Sequence, residues 1–221
     1  MANRTPRGQR AIAAGLLMFG WLALMWVLTA VDGDNPRCLP GDPDTPLVCE
    51  YGVEPRQSGE LLDIYPAAFL HFGWDHLLAN SLPLLIFGFL AAVRGIPRFL
   101  GVCLLIMTVS GLGVWLFSSS GSITAGASGV VFGLFGYLLV RGFVERDALD
   151  ITVGITVFLL YGSLLWGVLP TQTGVSWLGH LFGLAGGVLA AFWLRRGDTP
   201  RRRWSRRTPR GLSGPPPGHP G

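Results

Sequence analysis

Five polar side chains stand where the chain is otherwise apolar: His71, His76, Asn80, Ser128 and His180 lie in or at the edge of long hydrophobic runs. Polar and ionisable groups in such runs are costly, and they are functional candidates by default. A serine hydroxyl becomes a competent nucleophile when a base takes its proton, and histidine is the usual base. A carbonyl under attack develops an oxyanion that needs donors aimed at it, and Asn amide and His ring N–H groups can both donate. Ser128 with His180, served by His76 and Asn80 as oxyanion donors, therefore makes a complete acyl-transfer set. No Asp or Glu lies in the apolar runs of Ser128 and His180, so a Ser-His dyad is implied, not a triad. Asp75 adjoins His76 but projects about 100° away from it on a helix. Gly126-Ala127-Ser128-Gly129 is not a hydrolase elbow, because position 130 is Val where that motif needs Gly.

These residues must be positioned by membrane helices. Of 221 residues, 50% are hydrophobic and only 14% charged, against about one quarter charged in a soluble domain. Mean hydropathy is +0.46. A soluble two-layer enzyme, a nucleic-acid reader and a disordered scaffold are excluded by that balance. Six apolar runs are long enough to span, at roughly 20 residues each. They cover 11–31, about 67–93, 99–117, about 125–140, 151–169 and about 175–194. The expected fold is an all-α polytopic bundle of six transmembrane helices occupying 11–195. An arm (1–10) precedes it and an Arg-, Pro- and Gly-rich tail (196–221) follows, expected to be disordered. The first run exceeds a signal-peptide core in length and reads as an uncleaved anchor. No run repeats another, which gives an inverted-repeat transporter no support.

Arginine sets the orientation, since the chain has no lysine. Fifteen of the 17 arginines fall in the arm, the 94–98 and 141–146 connections and the tail, while only Arg37 and Arg56 lie on the opposite side. The positive-inside rule places both termini in the cytoplasm of a cell membrane. The second, fourth and sixth spans then all descend toward an arginine. Asn80, Ser128 and His180 precede Arg94, Arg141 and Arg195 by 14, 13 and 15 residues. At 1.5 Å per residue, each lies roughly 20–22 Å above the cytoplasmic side, in one layer near the outer face.

Each piece also has a structural reading. Gly129, Gly133 and Gly136, and Gly179, Gly183 and Gly187, form small-residue faces that ordinarily mean close helix packing. Here close packing is also what would bring Ser128 to His180. His71 fits an interfacial histidine that bonds the backbone of the first loop or positions water. The outer loop (32–66) is acidic and holds Cys38 and Cys49, a pair able to oxidise outside the cytoplasm. Cys103, inside the third span, reads as packing.

The segments His71-Phe-Gly-Trp-Asp-His76-Leu-Leu-Ala-Asn80, Gly126-Ala127-Ser128-Gly129 and Gly179-His180-Leu-Phe-Gly183 together resemble the rhomboid intramembrane serine proteases, across about residues 60–195. The resemblance implies a Ser128–His180 dyad, with His76, Asn80 and the Ser128 backbone N–H serving the oxyanion. It implies Phe132 as the aromatic packed on the catalytic imidazole, and a substrate helix that enters sideways near the fifth span. Gly126, Gly129 and His71 would support the site. The family's loop Trp-Arg falls on Leu62-Asp63 here. The partners implied are transmembrane protein substrates and the bilayer, with no nucleic acid, cofactor or metal. The composition, 32 Gly and 16 Pro with no Lys, suits a GC-rich bacterial source such as an actinomycete. Two other functions remain in play at this point. One is a catalytically inactive rhomboid-like protein that binds membrane helices. The other is a metalloprotease on His71, His76 and His180, which lack a HExxH-type carboxylate.

Overall fold

The computed structural model describes residues 7–34, 36–39, 43–171 and 174–195. The tail from residue 196, including His219, and most of the arm lie outside the described residues. Long apolar runs form helices because a helix bonds its own backbone, which lipid cannot do. Helix α1 spans Arg7–Asp32, α2 is one turn at Leu47–Glu50, and α3 spans Trp74–Ala92. Helices α4 (Ile96–Phe117), α5 (Ser128–Glu145), α6 (Ala148–Tyr161) and α7 (Trp177–Trp193) complete the bundle. A 3-10 segment, Gly162–Val168, continues α6. Counting α6 with that extension, five helices are long and apolar enough to cross a membrane, and α7 is a sixth apolar helix of 17 residues. At 1.5 Å per residue α7 is about 25 Å long, at the short end for a span. No strand forms among the described residues, and Val53 and Thr124 make an isolated antiparallel bridge.

Helix α5 is the axis of the bundle, with a buried face that includes Phe135, Tyr137 and Leu138. It packs most extensively on α7, and the reason is glycine. A Cβ at Gly183 or Gly187 would overlap the backbone of Gly129 or Gly133, and one at Gly133 would sit 2.8 Å from the Gly183 carbonyl oxygen. Backbones this close leave no room for side chains between them. By contrast, α6 is largely exposed, and Phe158, Leu159, Leu160 and Trp166 face outward.

The helix of the second apolar run starts later than the run itself. Pro66–Phe69 form a 3-10 turn, Leu70–Gly73 are not helical, and Gly73 takes φ 110° before α3 starts at Trp74. Apolarity marks burial, and a buried loop is as apolar as a helix. The fifth run corresponds to the span Ala148–Val168, made of α6 and its 3-10 extension.

The described residues of the 32–66 loop are well organised. The Asp32 carboxylate accepts from Leu47 N–H (2.8 Å) and Val48 N–H (2.9 Å), and Cys38 and Cys49 are joined by a disulfide. Arg56 then crosses to the end of α4, donating to the Leu116 and Ser118 carbonyls at 3.4 and 2.8 Å and to Ser120 Oγ. Trp115 Nε1 returns a bond to the Gln57 carbonyl at 3.1 Å. Arginine is suited to this place because a helix C-terminus presents unpaired carbonyls and partial negative charge. The loop is thereby tied down across the C-terminal end of α4, although Leu62-Asp63 replaces the Trp-Arg of the resemblance.

The α3–α4 and α5–α6 connections hold a charged cluster whose arginines count toward topology in the sequence. Arg141 Nη2 donates to Asp150 Oδ1 at 2.7 Å, and both side chains are 2% exposed. Arg94 joins the same carboxylate, and Arg98 pairs with Glu145. Both Arg98 and Arg141 also lie over the Tyr137 ring, at 5.8 and 5.5 Å from its centroid. Asp147 caps α6 by accepting from Leu149 and Asp150 N–H. Charges this buried persist only when paired, so the cluster locks α5 and α6 to the α3–α4 connection.

Candidate functional site

Ser128 is the first residue of α5, following Ala127. The N–H groups of a first helical turn have no partner within the helix, so a serine here carries its hydroxyl beside donors suited to an oxyanion. The turn that leads into it is built closely. Gly126 takes φ 133°, and a Cβ there would lie 2.7 Å from His76 Cε1 and 2.8 Å from His76 Nε2. Glycine is required at 126 on both counts, and its bareness lets the His76 ring lie against the turn two residues before the serine. Gly126 N–H donates to the Ala67 carbonyl at 2.8 Å. Ala127 N–H points at His71 Nε2 at 3.4 Å, and His71 is fully buried. His71 Nε2 thus accepts from the peptide next to Ser128. The rings of His71 and His76 meet edge-on, 5.0 Å between centroids.

Asn80 is 5% exposed, one turn after His76 on α3, and its Nδ2 donates to the His76 carbonyl at 2.8 Å. An amide nitrogen carries two hydrogens, so the second is not committed by that bond. His76 and Asn80 therefore share one face of α3, as their spacing of four requires, and the His76 ring lies against the turn that leads into α5.

His180 lies on α7, one turn after Ser176, whose side chain caps the helix by accepting from Gly179 N–H. The Phe132 ring lies flat on the His180 ring, 4.0 Å between centroids and 5° from parallel. Phe132 is four residues after Ser128, so the two share a face of α5 and adjoin along it. The stack consequently brings the imidazole within one helical turn of the serine. Gly129 faces α4 and α7, with Ser110 Oγ against it, and that hydroxyl donates to the Gly179 carbonyl at 2.8 Å. His180 Nδ1 lies 2.8 Å from the Gly167 carbonyl oxygen. An open cleft lined in part by Ala67, Ala68, Gly126, Ser128 and Gly179 runs along the serine's flank.

The fold and this site define a polytopic membrane protein with a half-buried serine beside a buried imidazole and a buried amide, a set chemically fit for acyl transfer. A sequence model of the Rhomboid domain matches residues 58–197. An uncharacterized protein of Mycobacterium tuberculosis is 34% identical over 200 residues, covering 87% of this chain and 80% of that protein. Rhomboid protease GlpG of Pectobacterium atrosepticum is 33% identical over 143 residues, 62% of this chain and 50% of its own length. Rhomboid protease GluP of Bacillus subtilis is 29% identical over 173 residues, 76% of this chain and 32% of its own length. The chain belongs to the rhomboid family and is a multi-pass membrane protein.

Proposed function

We propose that the chain is an intramembrane serine endopeptidase that cleaves transmembrane segments of other membrane proteins near the outer face of a cell membrane. Ser128 Oγ attacks the scissile carbonyl while His180 takes its proton. His76, Asn80 and the Ser128 N–H hold the oxyanion, and His180 returns the proton to the departing amine. Phe132 keeps the imidazole flat, Gly126 and Gly129 allow the close approaches, and His71 braces the peptide before the nucleophile. Both termini lie in the cytoplasm, the 32–66 loop lies outside, and the Cys38–Cys49 bond belongs to that oxidising side. The arginine distribution supports this orientation.

The observation that carries the reading is the Phe132–His180 stack, because it ties the base to the same helix face as the serine. The test is a fluorophosphonate probe, which reacts with activated serines, followed by mapping of the modified peptide. Labelling at Ser128 that disappears in His180→Ala is the expected outcome. A folded protein that takes up no label, yet still retains membrane helices, would instead be a binding member of the family.

A further inference from the structure

The His180 ring is oriented without a carboxylate, and what holds it is a backbone group. Its Nδ1 meets the Gly167 carbonyl oxygen at 2.8 Å. A carbonyl oxygen has no hydrogen to give, so Nδ1 must be the protonated nitrogen in that bond. In the neutral ring this leaves Nε2 with a free lone pair, as a general base requires. The approach depends on Gly167 being glycine. A Cβ there would lie 2.7 Å from Phe132 Cζ and 3.3 Å from His180 Nδ1, driving apart the stack that flattens the ring. The imidazole is thus fixed on one face by Phe132 and at one edge by the peptide at 167.

We propose that the Gly167 carbonyl is the positioning group of this site, supplying from the main chain the orientation that a carboxylate supplies in a three-residue catalytic set. The proposal rests on the Ser128–His180 reading above. As the Oγ–C bond forms, the Ser128 proton moves to Nε2. The same proton passes to the amide nitrogen as the C–N bond breaks, and the Nδ1 proton stays on Gly167 throughout. While Nε2 holds the proton, the ring is a cation and its bond to the carbonyl becomes charge-assisted and stronger. Gly167 belongs to the 3-10 extension of α6, next to Trp166, which is 73% exposed. The base is therefore aligned by a peptide of this outward-facing segment, which packs on Phe132 of α5 and on α7.

The test uses the full chain, labelled with 15N-histidine, in lipid nanodiscs, with the His180 signals assigned by their loss in His180→Ala. At a pH where the ring is neutral, the expected result is a protonated Nδ1 and a bare Nε2, read without altering the site. A ring protonated on Nε2, or an even mixture of tautomers, overturns the proposal. A second arm replaces Val168 by its α-hydroxy analogue, turning the 167–168 peptide into an ester whose carbonyl accepts more weakly. We expect kcat to fall about 2- to 10-fold with KM unchanged, together with a shift toward mixed tautomers. Unchanged kcat and an unchanged tautomer also overturn it. Full activity in Ser128→Ala would sink the underlying dyad reading, whereas an active dyad with the wrong tautomer sinks this inference alone.

Discussion

The two ends of α5 handle polar groups in opposite ways. At one end Arg141 and Glu145 pair with Asp150 and Arg98 beside the Tyr137 ring. At the other end the helix starts at Ser128, with His180 stacked on Phe132 and with His76 and Asn80 on α3, side chains that are uncharged or able to be and are held by glycine contacts and backbone bonds. A buried ion pair fixes a geometry because breaking it strands a charge. A neutral hydroxyl–imidazole set can pass a proton without that penalty. One helix thus carries an anchor at one end and, on the reading proposed, a reacting group at the other. The difference teaches that burial of polar groups in this bundle is no single signal: pairing of opposite charges marks architecture, and unpaired proton-passing groups mark chemistry.

Removing an anchor charge should give the largest effect on stability with little on chemistry. Asp150→Asn leaves Arg141 buried beside a neutral amide, and we expect a loss of about 3–5 kcal/mol, read as a lowered unfolding midpoint in detergent. Turnover per folded molecule should stay within about twofold of wild type. A variant that unfolds normally but loses turnover would erase the distinction between the two ends.

Trimming the other end should do the reverse. His76→Ala and Asn80→Ala each remove one oxyanion donor, which typically costs about 2.7–4 kcal/mol of barrier, or 100- to 1,000-fold in kcat. The Ser128 N–H remains, so residual cleavage is expected, with the unfolding midpoint little moved. If the double variant retained wild-type turnover, neither residue would serve the oxyanion.

The smallest effect should come from the loop. Cys38→Ser opens a segment closed across a sequence separation of 11 residues, worth at most roughly 3 kcal/mol on the chain-entropy picture. Arg56 and the Val53–Thr124 bridge still hold the rest of the loop on the bundle. Fluorophosphonate labelling should therefore persist, while proteolysis between Asp32 and Glu60 becomes faster. Labelling lost with the disulfide would extend the reactive end of the molecule into the loop.

Much of the candidate site's arrangement was legible because its signals are local. The spacing of four between His76 and Asn80, and the glycines flanking Ser128 and His180, follow directly from helical periodicity. The charged cluster was not, since Arg141 and Asp150 belong to different helices and meet across the α5–α6 connection, and counting arginines for topology does not reveal which ones are buried. Arg56 was equally silent, because its partners at Leu116 and Ser118 lie some sixty residues away and are backbone atoms. Gly167 was hidden for a related reason. Within an unbroken apolar run, nothing marks where α6 gives way to a 3-10 turn or which carbonyl that turn presents.

The central claim is that Ser128 is the nucleophile of a membrane-embedded protease, and the most direct measurement is cleavage of a single-span test substrate reconstituted with the full chain in lipid vesicles. Wild-type protein should release fragments cut within or beside the outer half of the span. Ser128→Ala, inserted and folded to the same extent, should release none. Cleavage by Ser128→Ala at more than about a tenth of the wild-type rate, well above the loss of ten-thousandfold or more expected for a missing nucleophile, would contradict the account.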